Sequence, residues 1–279
     1  MSNSPSPYII LNGELILARE NGFPVSSQSL VDAFGIYETI LIEQGRFFHL
    51  QQHLLRLEQS AQLLNLDLPA PVAEIGNWAR RLAATMTSPC GLLRIVSYGS
   101  DGVHGPVGAL YLKPCPTHGP EFYAEGVAVV SSEGERFRPL AKSTNCLAQT
   151  MARFKANAVG AHEGLIVDRH GHITEGTTCN VLAVRNGQVL RPLAGTALDG
   201  ITEEITLQLA GELGIPVTYT ALPLAEVDTW DEAFITSTHR RIVPISHVDH
   251  IALPASPGPI TRRLIAAYRA YEAKQGWEV

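Results

Sequence analysis

A covalent bond between a side-chain amine and a carbonyl carbon needs a lysine, and this chain has four, Lys113, Lys142, Lys155 and Lys274; the other seventeen of its 21 basic residues are arginines. Lys113 abuts Pro114, Lys155 follows Arg153 inside a helical pattern, and Lys274 lies in the polar tail. Lys142 alone stands among small polar neighbours, in Leu140-Ala-Lys142-Ser-Thr-Asn145. A lysine is more often a solvated charge than a nucleophile, so its type alone leaves both roles open.

Two junctions between a loop and a helix or strand offer chemistry of another kind. Leu198-Asp-Gly200-Ile201-Thr202 opens a helical stretch with a glycine that permits close approach and a threonine hydroxyl. The free amides of such a first turn favour an anion such as phosphate, although an ordinary helix cap reads the same way. Phe234-Ile-Thr236-Ser237-Thr238-His-Arg240-Arg241 sets hydroxyls and two cations at a strand end, where a plain polar loop is the alternative. His49 and His53 have a spacing that suits a metal, but the segment lacks the glutamate of H-E-x-x-H and a third ligand, so a solvated or capping role is expected and no metal. Gly99-Ser-Asp-Gly102-Val-His-Gly105 matches neither G-x-G-x-x-G nor a P-loop, and no G-x-S-x-G elbow occurs.

The elements that must position these residues read as a mixture of strands and helices. Tyr8 to Leu11, Asn12-Gly13 and Glu14 to Ala18 form one expected hairpin, and Ala33 to Glu43, Gln44-Gly45 and Arg46 to Phe48 a second. Leu50, Leu54, Leu57, Ala61 and Leu64 fall on one face of a helix from Leu50 to Leu64. A helix over Pro71 to Met86 and strands over Leu92 to Tyr98 and Ala109 to Lys113 follow. Pro114-Cys-Pro-Thr-His-Gly-Pro120 breaks regular structure and is the expected linker. Beyond it come a strand over Gly126 to Ser131, a helix over Thr144 to Val159, a hairpin around Arg169 to His172 and a strand over Asn180 to Arg185. Helices over Ile201 to Leu213 and Pro259 to Ala273 flank strands at Glu232 to Thr236 and Ile242 to Val248. The order lacks strict βαβ alternation, so two mixed α/β (α+β-like) halves are expected rather than a Rossmann sheet.

Composition narrows the class. With 279 residues, 45% hydrophobic, the chain can build one large or two smaller cores. No apolar run approaches the length of a membrane span, and Met1 to Pro7 lacks the pattern of a secretory signal. Cys90, Cys115, Cys146 and Cys179 are scattered, as expected of reduced thiols in a cytoplasmic protein. A net charge of −6 without a basic run points away from nucleic acid and anionic membranes.

In chain order the motifs resemble the class IV (fold-type IV) pyridoxal-phosphate enzymes: D-amino-acid and branched-chain aminotransferases, (R)-amine transaminases and aminodeoxychorismate lyase. The likeness runs through Leu11-Asn12-Gly13, Ile36-Tyr37-Glu38-Thr39, His53-Leu-Leu-Arg56-Leu57 and Lys142-Ser-Thr-Asn145. It continues through Glu175-Gly-Thr-Thr178-Cys-Asn180, Gly200-Ile201-Thr202, Thr236-Ser237-Thr238, Pro244 and Gly258-Pro-Ile-Thr. It implies two domains, 1–117 and 123–279, joined by a linker at 118–122, with pyridoxal 5′-phosphate at their interface and a homodimer. It further implies Lys142 as the Schiff-base lysine and proton carrier, and Glu175 as partner of the pyridine nitrogen. Arg56 would meet the phosphate, together with Ile201, Thr202, Ser237 and Thr238; Thr178 would join the cofactor contacts, and Leu198 would pack on the ring. Tyr37 and Thr39 would face the substrate.

Departures from the family pattern fall on the substrate side. Glu203 follows Gly-Ile-Thr where many members have arginine, and Tyr98 stands where D-amino-acid aminotransferases carry an arginine. His239-Arg240-Arg241 follows Thr238 in place of small residues and an acid, and Ser29 to Gly35 departs from the usual glycine-rich signature. Arg240 or Arg241, assisted by Tyr37 and Tyr98, is therefore expected to read the substrate α-carboxylate. The expected activity is ping-pong transfer of an amino group between an amino acid (D or branched-chain L) or amine and a 2-oxo acid. The alternatives are pyruvate elimination from aminodeoxychorismate and an inactive relative with a binding or regulatory role.

Overall fold

The computed structural model describes residues 4–20 and 27–279; the opening Met1 to Asn3 of the segment weighed as a secretory signal lies outside the described residues. Two compact units result. One comprises Met1–Pro116, Ala141–Asn145 and Gln275–Val279, the other Thr117–Leu140 and Cys146–Lys274.

The first unit is built on a seven-stranded antiparallel sheet. Its strand order is Trp277–Glu278, Arg46–Phe48, Gly35–Glu43, Cys90–Tyr98, Val107–Pro114, Tyr8–Leu11 and Glu14–Leu17. Asn12 and Gly13 close the first hairpin with positive φ values of 46° and 88°, the conformation that suits a tight turn to the twist of the strands. Strand alternation sends Ile36, Ile40, Ile42, Leu93, Ile95, Leu110 and Leu112 into a core shared with Leu54, Leu57, Ala61, Ile75 and Trp78 of the Leu50–Leu64 and Val72–Ala83 helices. Burying each such side chain contributes roughly 1.5–3 kcal/mol. Tyr37 and Thr39 alternate to the opposite face, and the register pairs Gly35 with Tyr98, Tyr37 with Val96 and Thr39 with Arg94, so these residues share that face.

The second unit carries a nine-stranded mixed sheet. Glu232–Ser237 lies between antiparallel neighbours Asn180–Arg185 and Arg241–Val248. Arg241–Val248, Val127–Glu133 and Glu163–Val167 run parallel, with Ile173–Gly176 antiparallel at the end. Its core includes Val129, Leu165, Val181, Trp230, Ile235, Val243 and Ile245. The helix expected from Thr144 starts at Leu147. Thr144 is held in a bend instead: its N–H donates to Gly35 O at 2.8 Å, its hydroxyl to Ala33 O at 2.7 Å, and Ser143 bridges Ile36. These bonds make Lys142 part of the first unit. No helix among the described residues is long and apolar enough to cross a membrane.

Candidate functional site

In the first unit Lys142 is fixed through its backbone. Its N–H donates to Ser60 Oγ at 3.0 Å and its carbonyl accepts from Tyr37 N–H at 2.9 Å, which stitches the segment to the edge of the Gly35–Glu43 strand and to the Leu50–Leu64 helix. Its Nζ then stands 5.0 Å from the centre of the Tyr37 ring. The Arg94 guanidinium lies 4.4 Å from the same ring, and its Nη1 donates to Thr39 Oγ1 at 3.0 Å. Among the described residues no carboxylate pairs with Arg94. Two cations therefore lie within about 5 Å of one aromatic ring, an arrangement that draws in negative charge.

Behind that face lies a carboxylate the alternation sends into the core. Glu38 is fully buried; Arg56 meets it with Nε–Oε1 at 2.7 Å and Nη2–Oε2 at 2.9 Å, and His53 Nδ1 lies 2.7 Å from Oε2. Burial pushes the Glu38 carboxyl up, but Arg56 and then His53 outweigh it and hold it well below the usual carboxylate range. His53 is shifted down, by burial first and against the pull of Glu38. The i, i+3 spacing of His53 and Arg56 on one helix face explains why both reach one carboxylate. His49 stands at the N-terminus of the same helix, its backbone N–H donating to Gly276 O at 2.7 Å, and no group of three or more possible metal ligands occurs among the described residues.

In the second unit Glu175 is almost buried on the Ile173–Gly176 strand. Arg136 Nε and Gln149 Nε2 both donate to its Oε1, at 2.8 and 2.9 Å, whereas Oε2 has a long contact of 3.5 Å from Leu198 N–H. Asn180 ties Leu198 to the neighbouring strand, its Nδ2 donating to the Leu198 carbonyl at 2.6 Å. The Ile201–Glu212 helix begins at Gly200, where any Cβ would collide with Asn180 Oδ1. Glu203 accepts from Gly200 N–H at 3.4 Å and from Arg191 Nη2 at 2.9 Å. Arg191 also reaches Asp199 at 2.5 Å, so the acid that replaces the family's arginine has a buried counter-ion of its own. Burial pushes the Glu203 carboxyl up despite that pairing.

Asn180 pairs with Thr236 across the ladder, which puts Thr178, Leu198, Ile201, Thr202, Thr236, Ser237 and Thr238 around one end of this sheet. The Thr236 hydroxyl is buried with no partner. Arg240 and Arg241, expected to read a substrate carboxylate, both stand on carboxylates of the chain itself. Arg240 Nη1 donates to Glu163 Oε2 at 2.9 Å, and Arg241 Nε to Glu272 Oε1 at 2.8 Å. Tyr98 packs against Gly35 on the face that carries Tyr37, where a Cβ on Gly35 would meet its ring at 2.7 Å.

Four contributors were missed in the sequence. Arg94 left a signal, a single charge in the otherwise apolar Leu92 to Tyr98 strand on the side of Tyr98. Gln149 and Glu38 gave a weaker one, polar residues at core-facing positions. Arg136 gave none, because Glu135-Arg136-Phe-Arg138 looks like a solvated loop and its partner is 39 residues away.

The sequence model of "Amino-transferase class IV" matches residues 35–248. The D-alanine aminotransferase of Bacillus licheniformis is 30% identical over 93% of this chain and 95% of its own length. A branched-chain-amino-acid aminotransferase of Pseudomonas aeruginosa is 29% identical over 92% of this chain and 90% of its own. The crystal structure of the Escherichia coli branched-chain amino acid aminotransferase superposes with a TM-score of 0.89 over 98% of this chain and 99% of that one, at 23% identity, which establishes the two-sheet fold. Motif order, paired strands and family model agree over most of the length: this chain belongs to the class IV aminotransferases.

Proposed function

We propose that the chain transfers an amino group between an amino acid, D or branched-chain L, or an amine, and a 2-oxo acid, with pyridoxal 5′-phosphate carried on Lys142. Aminotransferases of this class work with that cofactor. The single observation that carries the assignment of Lys142 is its setting: a lysine pinned at both backbone polar groups, with its amine over Tyr37 and beside the Arg94–Thr39 pair.

The residues present fit the cofactor. Glu175 keeps one oxygen loosely engaged while the other is locked by two donors, which suits a carboxylate meant to accept from a pyridine N–H. The buried, partnerless Thr236 hydroxyl and the first turn at Gly200-Ile201-Thr202 suit a phosphate, to which Thr202, Ser237 and Thr238 would contribute, whereas Arg56, expected there, is held on Glu38. Leu198 and Thr178 would line the ring and its phosphate arm. When bound, the cofactor supplies the electron sink that lets a bond at the substrate Cα break. Lys142 Nζ would hold it and would take up the proton released at the substrate Cα.

Arg94, rather than Arg240 or Arg241, is assigned the substrate carboxylate, with Tyr37, Thr39 and Tyr98 as its companions on the sheet face. Among the described residues its guanidinium has no carboxylate on it, whereas the other two are engaged. The relatives are aminotransferases by name, which leaves the lyase and inactive-relative readings without an observation in their favour. Small-molecule substrates, a cytoplasmic setting for its four cysteines, none of them in a disulfide, and pairing with a second copy complete the proposal.

The test is a set of single-turnover half-reactions with D- and L-amino acids and with an uncharged amine, followed by visible absorbance. Wild-type protein converts at least one amino acid to the amine form of the cofactor. Arg94→Gln slows the amino acid by roughly a hundredfold while leaving the amine within about threefold, because only the former loses a charge-assisted hydrogen bond. Equal losses for both substrates would reject the assignment of Arg94, and no conversion of any amino acid or of the amine would reject transamination.

A further inference from the structure

We infer that Arg240, in the His239-Arg240-Arg241 turn, is a positioning residue for the phosphate cup: it orients the Ser237 hydroxyl, and secondarily Thr178, as donors to the cofactor phosphate. This rests on the proposed function.

Arg240 closes the turn between the Glu232–Ser237 and Arg241–Val248 strands, where Ser237 pairs with Arg241 and Arg241 takes a left-handed φ of 58°. That bend folds the Arg240 side chain back beneath the strand end, where it is 3% exposed. Each edge of the guanidinium is then used. Nε donates to Ser237 Oγ at 3.0 Å, Nη1 to Glu163 Oε2 at 2.9 Å, and Nη2 to Thr178 Oγ1 at 2.8 Å, with a weaker contact of 3.4 Å to the Thr178 carbonyl. Glu163 answers the charge, and it also binds Arg153 Nη2 at 2.6 Å and the Thr177 hydroxyl.

A hydroxyl oxygen that accepts from a fixed N–H has to aim its own proton elsewhere. Among the described residues Ser237 Oγ has no other partner, so its O–H is left to donate. Thr178 has a long alternative acceptor, Glu163 Oε2 at 3.3 Å, which makes it the weaker of the two. The strand pairing of Asn180 with Thr236, and the Asn180 bond to Leu198, put both hydroxyls at the sheet end where the Gly200-Ile201-Thr202 turn begins. The charge of Arg240 is met by Glu163, so its action on the phosphate runs through the hydroxyls, by geometry.

The experiment compares two probes on the apoprotein, pyridoxal 5′-phosphate and pyridoxal, which lacks the phosphate, by absorbance titration. Arg240→Gln weakens pyridoxal 5′-phosphate on the order of tenfold to a hundredfold and pyridoxal less than about threefold. Ser237→Ala with Thr178→Val reproduces the selective loss, and adding Arg240→Gln to that pair changes little more. Arg240→Gln with Glu163→Gln removes the buried acid together with its buried counter-ion, so the selectivity is read without the imbalance that Arg240→Gln alone leaves at Glu163. Equal weakening of both probes, or an Arg240 effect that persists undiminished without the two hydroxyls, would overturn the inference. Wild-type protein that binds neither probe overturns the proposed function and this inference with it; wild-type binding with no selectivity in the variants overturns this inference alone.

Discussion

Lys142 and Glu175 are read the same way in the structure, from what holds them rather than from their type. Lys142 is clamped through its backbone, which leaves the amine as the moving part. Glu175 is clamped through one oxygen, by Arg136 and Gln149, which leaves the other to be claimed. A buried carboxylate needs a counter-ion, and Arg136 supplies it at 2.8 Å. Glu175→Gln should therefore retain the cofactor yet slow proton transfer at the substrate Cα by roughly a hundredfold or more, because a neutral amide cannot stabilise a charged ring nitrogen. The check is the single-turnover rate beside the cofactor content of the purified variant. An unchanged rate would make Glu175 a turn residue.

At the scale of elements, local pattern carried much of the fold and failed where long-range pairing decides. The Leu50–Leu64 helix matches its sequence-read bounds because its apolar spacing is set along its own length. The Asn12-Gly13 and Gln44-Gly45 turns were legible because their residues tolerate positive φ. The start of the Leu147–Ala158 helix was not, since Thr144 belongs to a pairing with residues 33–36 that no local signal records. The same holds for the Trp277–Glu278 strand, which joins the first sheet beside Arg46–Phe48. In the site, the motif residues could be named from the chain, but Arg94, Arg136 and the engagement of Arg240 with Glu163 depend on contacts across strands and loops. The Leu147–Ala158 helix makes the element-scale prediction. Leu147, Met151 and Phe154, at i, i+4 and i+7, are 71%, 55% and 61% exposed, an apolar stripe of the kind a second copy would cover. Phe154→Glu with Leu147→Glu should convert a dimer to a monomer in sedimentation; a wild-type protein that sediments as a monomer would contradict the pairing.

For the whole molecule, acid is the condition that exposes the buried ion pairs. Burial first, and then Arg240, hold His162 down to about 4 and His239 down to about 3, against 6.5 for a free imidazole. An unfolded chain takes up those protons as pH falls through 6.5 while the folded one does not, so stability declines from 6.5 towards 4. Glu163, carried up by burial but brought down by Arg240 and Arg153 to about 2, adds stability above 4.5 that is lost below it. The melting temperature should thus fall steadily on acidification from neutrality. His162→Gln with His239→Gln should flatten the decline between 6.5 and 4, and an unaltered slope would show that neither imidazole contributes.

The most direct test of the central claim is chemical. Protein loaded with pyridoxal 5′-phosphate is reduced with borohydride, digested, and read by mass spectrometry, alongside the Lys142→Ala variant. One cofactor-modified peptide, carrying the mass on Lys142, is expected, and the variant should lose it together with nearly all turnover. A modification on Lys113, Lys155 or Lys274, or a Lys142→Ala protein that keeps its activity, would contradict the claim.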